Sequence, residues 1–491
     1  MKLSKIKIFK KVFSVFLLLT MIFNIFVINI QSKPTSVLDN KDTIEKIKIN
    51  NGNYDLLIIS PQKFKKYLQP LINHKTKYNI KTEIFDTKEI YNQICSLGRD
   101  KAEKIKYFIK DEIERCSIKY VLLVGGRKDQ TDKETWWIPV RYSYLHRPYD
   151  NIDEKKFLSD LYFADIYDEN GSFSDWDFDG DGKYAEYSTD MVNIDVHPDV
   201  YLGKLPANTP AEASDVVAKI INYKEHNKMT KKVMQIGGDS FTGDEIYEGE
   251  YANTRVLEKL PGYSTTQLWA STETLTKRNV ANSFNDGVDF VDLCGHGSWA
   301  SFATHPPNDD SVWVPPKTLI SPYTGFLYLD YDLYVVANEK KLPVCVFKSC
   351  SNNKYSESPT CFGWKTVSKS NGGGIAVYAA SGISYGAVGT DISERTTGWM
   401  EIKSFEELMS NKILGQVWAN SISAYYNTFE LDLDDADWKT LLTWSMFGDP
   451  TLVIEDGDDP EGISRNRPVF TNILEKILER PLFQKLLQRI I

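Results

Sequence analysis

Residues 288–298 read Val-Asp-Phe-Val-Asp-Leu-Cys-Gly-His-Gly-Ser. The apolar run from Val288 to Leu293 fits a strand, and it leads straight into His296, which has a glycine on each side. Glycines at such a place let the backbone turn sharply and approach another segment closely. A second run, Val344-Cys-Val-Phe347, continues through Lys348 and Ser349 to Cys350 and the polar Ser351-Asn352-Asn353. Working outward, Leu56–Ile59, Tyr120–Val124 and Ile375–Tyr378 are further short apolar runs. Runs of this kind suit parallel strands buried on both faces. Between them, residues 100–116, 210–227 and 248–260 carry helical composition. The alternation predicts an α/β fold of open, mostly parallel sheets with helices on both faces. Ligands in such sheets gather at the carboxyl ends of strands, where His296 and Cys350 stand.

Composition removes several classes of function. The 491 residues carry 58 Lys+Arg against 67 Asp+Glu, a net charge of −9, with no large basic block, which argues against a nucleic-acid partner. Six cysteines are too few for a disulfide scaffold, and 42% hydrophobic residues argue against wholesale disorder. Lys2, Lys5, Lys7, Lys10 and Lys11 precede an apolar run from Val12 to Ile30, the order of an export signal or signal anchor. The expected organisation is therefore a signal or anchor over 1–30 and a linker or short pro-segment over 31–53. Two adjacent α/β subdomains follow over 54–230 and 231–456, and then a linker and amphipathic tail over 457–491. In that tail Phe470, Ile473, Leu474, Ile477 and Leu478 share one helical face. The N-terminal segment and the tail are the two candidates for membrane or surface association. The expected location is secreted or cell surface.

Two neighbouring strand ends that offer imidazole and thiol suit a cysteine nucleophile with a histidine partner. The thiolate attacks, and the imidazole supplies the leaving-group proton. Cys294 and Cys345 lie inside strands and Cys361 opens a helix, so these three read as core. An acidic stretch, Asp175-Trp-Asp177-Phe-Asp179-Gly180-Asp181-Gly-Lys-Tyr-Ala-Glu186, satisfies a calcium-loop spacing. Oxygens at loop positions one, three, five, seven and twelve, with glycine at six, suit a hard cation. Asp175, Asp177, Asp179, Asp181 and Glu186 are the expected ligands of a structural calcium; no cofactor is expected for the chemistry.

The chain also resembles a known family. His296-Gly297 after one strand and Cys350 after a later one are similar to the gingipain family of cysteine peptidases, within the caspase and legumain group. Tyr120–Gly125, Val200–Pro206 and Thr443–Leu452, which contains Phe-Gly-Asp-Pro-Thr-Leu, resemble further family segments in order. The resemblance implies a caspase-like fold, with Cys350 as nucleophile, His296 as catalytic imidazole and the Gly297 amide as oxyanion donor. It implies Asp239 as the carboxylate that orients the histidine. It further implies Glu250, with Glu245 and Glu248 close by, as an acidic group that selects Arg or Lys at P1, and Tyr385 as an aromatic pocket wall. The expected function is an exported cysteine endopeptidase acting on protein or peptide substrates. A peptidyl transferase using the same dyad and a non-catalytic surface binding protein are the alternatives.

Overall fold

Several five-residue stretches of this chain have no exposed side chain and form interior strands. The computed structural model describes residues 52–454 apart from 130–133, 146–153, 188, 317–326, 329–331 and 340. The apolar N-terminal segment and the amphipathic tail lie outside the described residues. The strands are β1 Leu56–Ser60, β2 Thr82–Asp86, β3 Tyr120–Val124, β4 Tyr142–Tyr144, β5 Lys156–Leu158, β6 Tyr201–Leu205, β7 Lys232–Gly237 and β8 Ser264–Trp269. They continue as β9 Phe290–Cys294, β10 His296–Gly297, β11 Ser301–Ala303, β12 Leu327–Tyr328, β13 Val344–Lys348, β14 Ala376–Ala380 and β15 Trp444–Phe447. Every residue of β1, β3, β9, β13, β14 and β15 is buried.

Ten of these strands make one sheet, ordered β2-β1-β3-β6-β15-β14-β13-β9-β7-β8. The strands β2, β1, β3, β6 and β15 run parallel to one another, as do β14, β13, β9, β7 and β8. The two sets point in opposite directions and meet where β14 and β15 pair antiparallel. The last strand in chain order therefore fills the middle of the sheet, between β6 and β14.

The helices follow from spacing and caps. Lys101–Cys116 buries Ala102, Ile105, Phe108, Ile109 and Glu112 on one face, and the Asp100 carboxylate accepts the Glu103 amide at its start. Pro210–His226 starts at the Thr209 cap with proline in its first turn. Glu248–Glu258 begins after Tyr247, which makes no side-chain cap, and its first carboxylate accepts amides of the preceding turn instead. All three agree with the expected spans to within two residues.

The seam is closed by Phe447-Gly448-Asp449-Pro450. A Cβ on Gly203 of β6 would lie 2.5 Å from the Gly448 carbonyl oxygen, so that position has no room for a side chain. Asp449 accepts from the Thr451 amide at 2.9 Å and its hydroxyl at 2.8 Å. It also forms an ion pair with Lys75 of the helix Lys65–Lys77, both side chains being buried. Removing one partner of such a pair leaves an uncompensated buried charge, typically costing about 3–5 kcal/mol. Asp449→Ala is therefore expected to lower the urea midpoint by the equivalent of about 3–5 kcal/mol; a shift within measurement error would contradict the assignment.

Candidate active site

At the carboxyl end of β9 the chain turns at Gly295 and pairs back on itself as β10 and β11. At the end of the adjacent β13, Ser351 takes a left-handed conformation, φ 61°, directly after Cys350. These two turns touch. A Cβ on Gly297 would lie 2.6 Å from the Cys350 carbonyl oxygen and 2.9 Å from Ser349 Cβ. Asn352 ties them further: its Nδ2 donates to the carbonyls of Ser298 at 2.8 Å and Ser301 at 3.1 Å, and its Oδ1 accepts from Ser349 Oγ at 2.5 Å. Cys350 is half-buried, and its thiol donates to the Ser384 carbonyl at 3.3 Å.

His296 Nε2 lies 2.8 Å from the Ser240 carbonyl. A carbonyl only accepts, so this contact places the proton on Nε2 and leaves Nδ1 as the basic nitrogen. The ring is flanked edge-on by Trp313 at 5.5 Å, His305 at 5.6 Å and Phe241 at 6.0 Å. Burial lowers its pKa, and the charge on Lys348 and neighbouring His305 add to that; the Ser240 contact and Glu248 oppose it. Ser298 and Ser301 exchange backbone bonds at 2.9 and 3.4 Å. By the alternation of an antiparallel ladder, Gly297 and Phe302 are then a non-hydrogen-bonded pair, so the Gly297 amide is outside the ladder.

Asp239 is at the expected strand end, but among the described residues no hydrogen bond joins it to the imidazole. Its Oδ2 accepts from the Asn308 amide at 2.8 Å, and its backbone pairs with His305. Burial pushes its pKa up. The group that meets the imidazole is the Ser240 carbonyl, which sequence patterns cannot single out because any residue supplies one. Glu248 fixes that turn: its Oε2 accepts from the amides of Ser240 at 3.0 Å and Phe241 at 3.1 Å, and its Oε1 from Gly389 at 2.9 Å.

Glu250 is buried, with one carboxylate oxygen taken by the Ser271 amide at 2.8 Å and the other by its hydroxyl at 2.5 Å. Tyr385 follows the carbonyl that receives the thiol, and its own carbonyl accepts from Thr396 and Thr397. The loop carrying it is anchored by Glu154, which accepts the Ile383 amide at 2.8 Å and pairs with Lys354 of the cysteine loop at 2.7 Å.

The family model for Peptidase family C25 matches residues 49–455. The chain belongs to this family. Gingipain R2 of Porphyromonas gingivalis is 20% identical over 424 residues, covering 82% of this chain but 46% of its own length. The chain thus spans about half the length of that curated relative. Among solved structures, the Arg-specific cysteine proteinase gingipain R is similar with a TM-score of 0.57 at 17% identity, over 83% of this chain and 79% of the other. The complex of P. gingivalis RgpB pro- and mature domains gives 0.54 at 17% identity, over 82% and 79%. The C25 chain therefore has a caspase-like fold.

In this C25 member the acidic loop sorts its carboxylates into two groups. Ligand oxygens of Asp177, Asp179 and Asp181 lie within 4.8 Å of one another. Gly180 supplies the turn at φ 74°. Asp175 instead pairs with Arg99, at 2.5 Å, and Arg99 also reaches Asp177 at 3.2 Å. Glu186 lies 3.6 Å from Lys183, which also pairs with Asp181 at 2.5 Å. Buried Asp190 closes the loop by accepting the amides of Phe178 and Glu186. For the imidazole, the burial argument gives a measurable outcome: an NMR titration of His296 is expected to show a midpoint below the ordinary 6.5, and a midpoint above it would contradict the burial reading.

Proposed function

We propose that this chain is a cysteine endopeptidase working through Cys350 and His296. The observation that carries the reading is the contact of the two strand-end turns, in which side-chain-free Gly297 lies against the Cys350 backbone. His296 Nδ1 takes the thiol proton, and the sulfur attacks the peptide carbonyl carbon. Negative charge develops on the carbonyl oxygen, and the Gly297 amide is the donor for it; one such donor typically contributes about 10²–10³ in rate. The imidazolium then gives its proton to the departing amine, leaving an acyl group on Cys350. Water, activated by the same nitrogen, releases it. The Ser240 carbonyl keeps the imidazole in the needed tautomer throughout, a role Asp239 supports only through the fold of the turn.

The Lys-rich, apolar beginning of the chain supports export, to the medium or the cell surface. For the acidic loop we infer a structural calcium held by Asp177, Asp179 and Asp181, with Glu186 and Asp175 released to it from Lys183 and Arg99. The convergent oxygens and the left-handed glycine fit a hard cation.

Three outcomes are expected. Cys350→Ala should abolish peptide hydrolysis. Asn352→Ala, which loosens the turns without touching the dyad, should lower kcat by about 10²-fold with a smaller change in KM, as expected for a small misplacement of reacting groups; full activity in Cys350→Ala would remove the nucleophile assignment. A calcium chelator should lower the melting temperature by several degrees, as loss of a bound ligand does, and excess calcium should restore it; an unchanged melting temperature would remove the calcium site.

A further inference from the structure

Ser384 meets the cysteine twice. The Cys350 thiol donates to its carbonyl at 3.3 Å, and its hydroxyl donates back to the sulfur at 3.7 Å. Among the described residues the sulfur has no other hydrogen-bond partner, and the Ser384 hydroxyl has no other acceptor. Both side chains are half-buried, so water competes less for the sulfur than it would on an open surface. The hydroxyl contact is long because the sulfur of a neutral thiol is a weak acceptor.

The residue is held in place from both sides. β13 and β14 are parallel neighbours, so the loop after β14 starts beside the cysteine turn. The Ser351 amide donates to the Gly382 carbonyl at 2.8 Å, and the Ile383 amide donates to Glu154 Oε2 at 2.8 Å. Beyond Ser384, the Tyr385 carbonyl accepts from the hydroxyls of Thr396 at 3.1 Å and Thr397 at 2.5 Å. Neighbouring residues thus anchor the loop, and the Ser384 hydroxyl carries none of these anchors. The two contacts with sulfur respond in opposite ways when the thiol ionises. As the proton passes to His296 Nδ1, the S–H bond breaks and its electron pair stays on sulfur. The carbonyl oxygen then faces a negative charge and repels it, whereas the hydroxyl bond to that charge shortens and strengthens. The same charge returns when the acyl group is released, because the S–C bond breaks and a thiolate departs.

We propose that Ser384 is a further catalytic residue, whose hydroxyl stabilises the Cys350 thiolate. This rests on the cysteine-endopeptidase reading. The imidazole accepts the proton, and the Gly297 amide serves the charge that develops on the substrate oxygen. Ser384 serves the charge that the proton leaves behind on sulfur. It acts at both ends of the cycle, first on the attacking thiolate and then on the departing one.

The test compares the full chain with Ser384→Ala, which removes only the hydroxyl, and with Ser384→Thr, which retains one. Alkylation of Cys350 by iodoacetamide, followed across pH by mass spectrometry, needs no substrate and reports the thiolate. Ser384→Ala should be alkylated about tenfold more slowly at neutral pH, the loss of one hydrogen bond to a charged group. It should recover at high pH, so that its whole pH dependence is displaced upward. Its kcat/KM on a mixed fluorogenic peptide library should show the same displacement, carried by kcat more than by KM, with the melting temperature retained. Ser384→Thr should follow the native chain. A merely structural hydroxyl would change the melting temperature or KM and leave the pH dependence where it was. An undisplaced alkylation profile in folded Ser384→Ala overturns the proposal, while cleavage by the native chain keeps the peptidase reading. Absence of all cleavage by the folded native chain, with Cys350 still alkylated, removes the peptidase reading, and the catalytic role with it.

Discussion

One carboxamide, Asn352, holds the chemistry of this chain together. Its two amide hydrogens reach the carbonyls of Ser298 and Ser301 on the histidine turn, and its oxygen takes the hydroxyl of Ser349 beside Cys350. The Ser298 and Ser301 carbonyls also accept each other's amides, but the wholly buried Asn352 carboxamide has these contacts for its partners, so the cost of breaking them exceeds the strength of any single bond. The arrangement also demands that Gly297 carry no side chain. A turn that brings a histidine near a cysteine is common; a turn that can lie flat against the cysteine backbone is not.

The sheet explains why these turns are adjacent. β9 and β13 are parallel neighbours, so their carboxyl ends open on the same edge and the loops that follow have nowhere to go but past each other. A separate two-stranded sheet contributes from the side. Glu154, which precedes its strand β5, reaches both the cysteine loop at Lys354 and the thiol-receiving loop at Ile383. The surroundings of the site are thus not drawn from the ten-stranded sheet alone.

What could be read in the sequence divides along a physical line. Apolar runs such as Val344–Phe347 declare themselves as strands because their surroundings are apolar on both faces, and the residues at their ends inherit a position from them. His296 and Cys350 were legible for that reason. Backbone groups were not: the Ser240 carbonyl that meets the imidazole carries no mark in the sequence, and Asp239 beside it drew attention as a side chain. Glu250 was legible as a charge, but not its engagement with Ser271, which is 21 positions away. In the acidic loop the spacing was legible, while the competition of Arg99 for Asp175 depends on a residue 76 positions earlier, just ahead of the helix Lys101–Cys116.

The position of β15 has a consequence for how the chain acquires its shape. β15 is made from residues 444–447, yet it separates β6 from β14 at the centre of the sheet. While a ribosome or a translocation pore still holds that segment, β6 and β14 each present an unsatisfied apolar edge, the kind of surface that templates pairing with other chains. The pairing of β15 with β6 joins Lys204 to Phe447, and contacts so distant in sequence form slowly. The centre of the sheet is therefore the part that closes last.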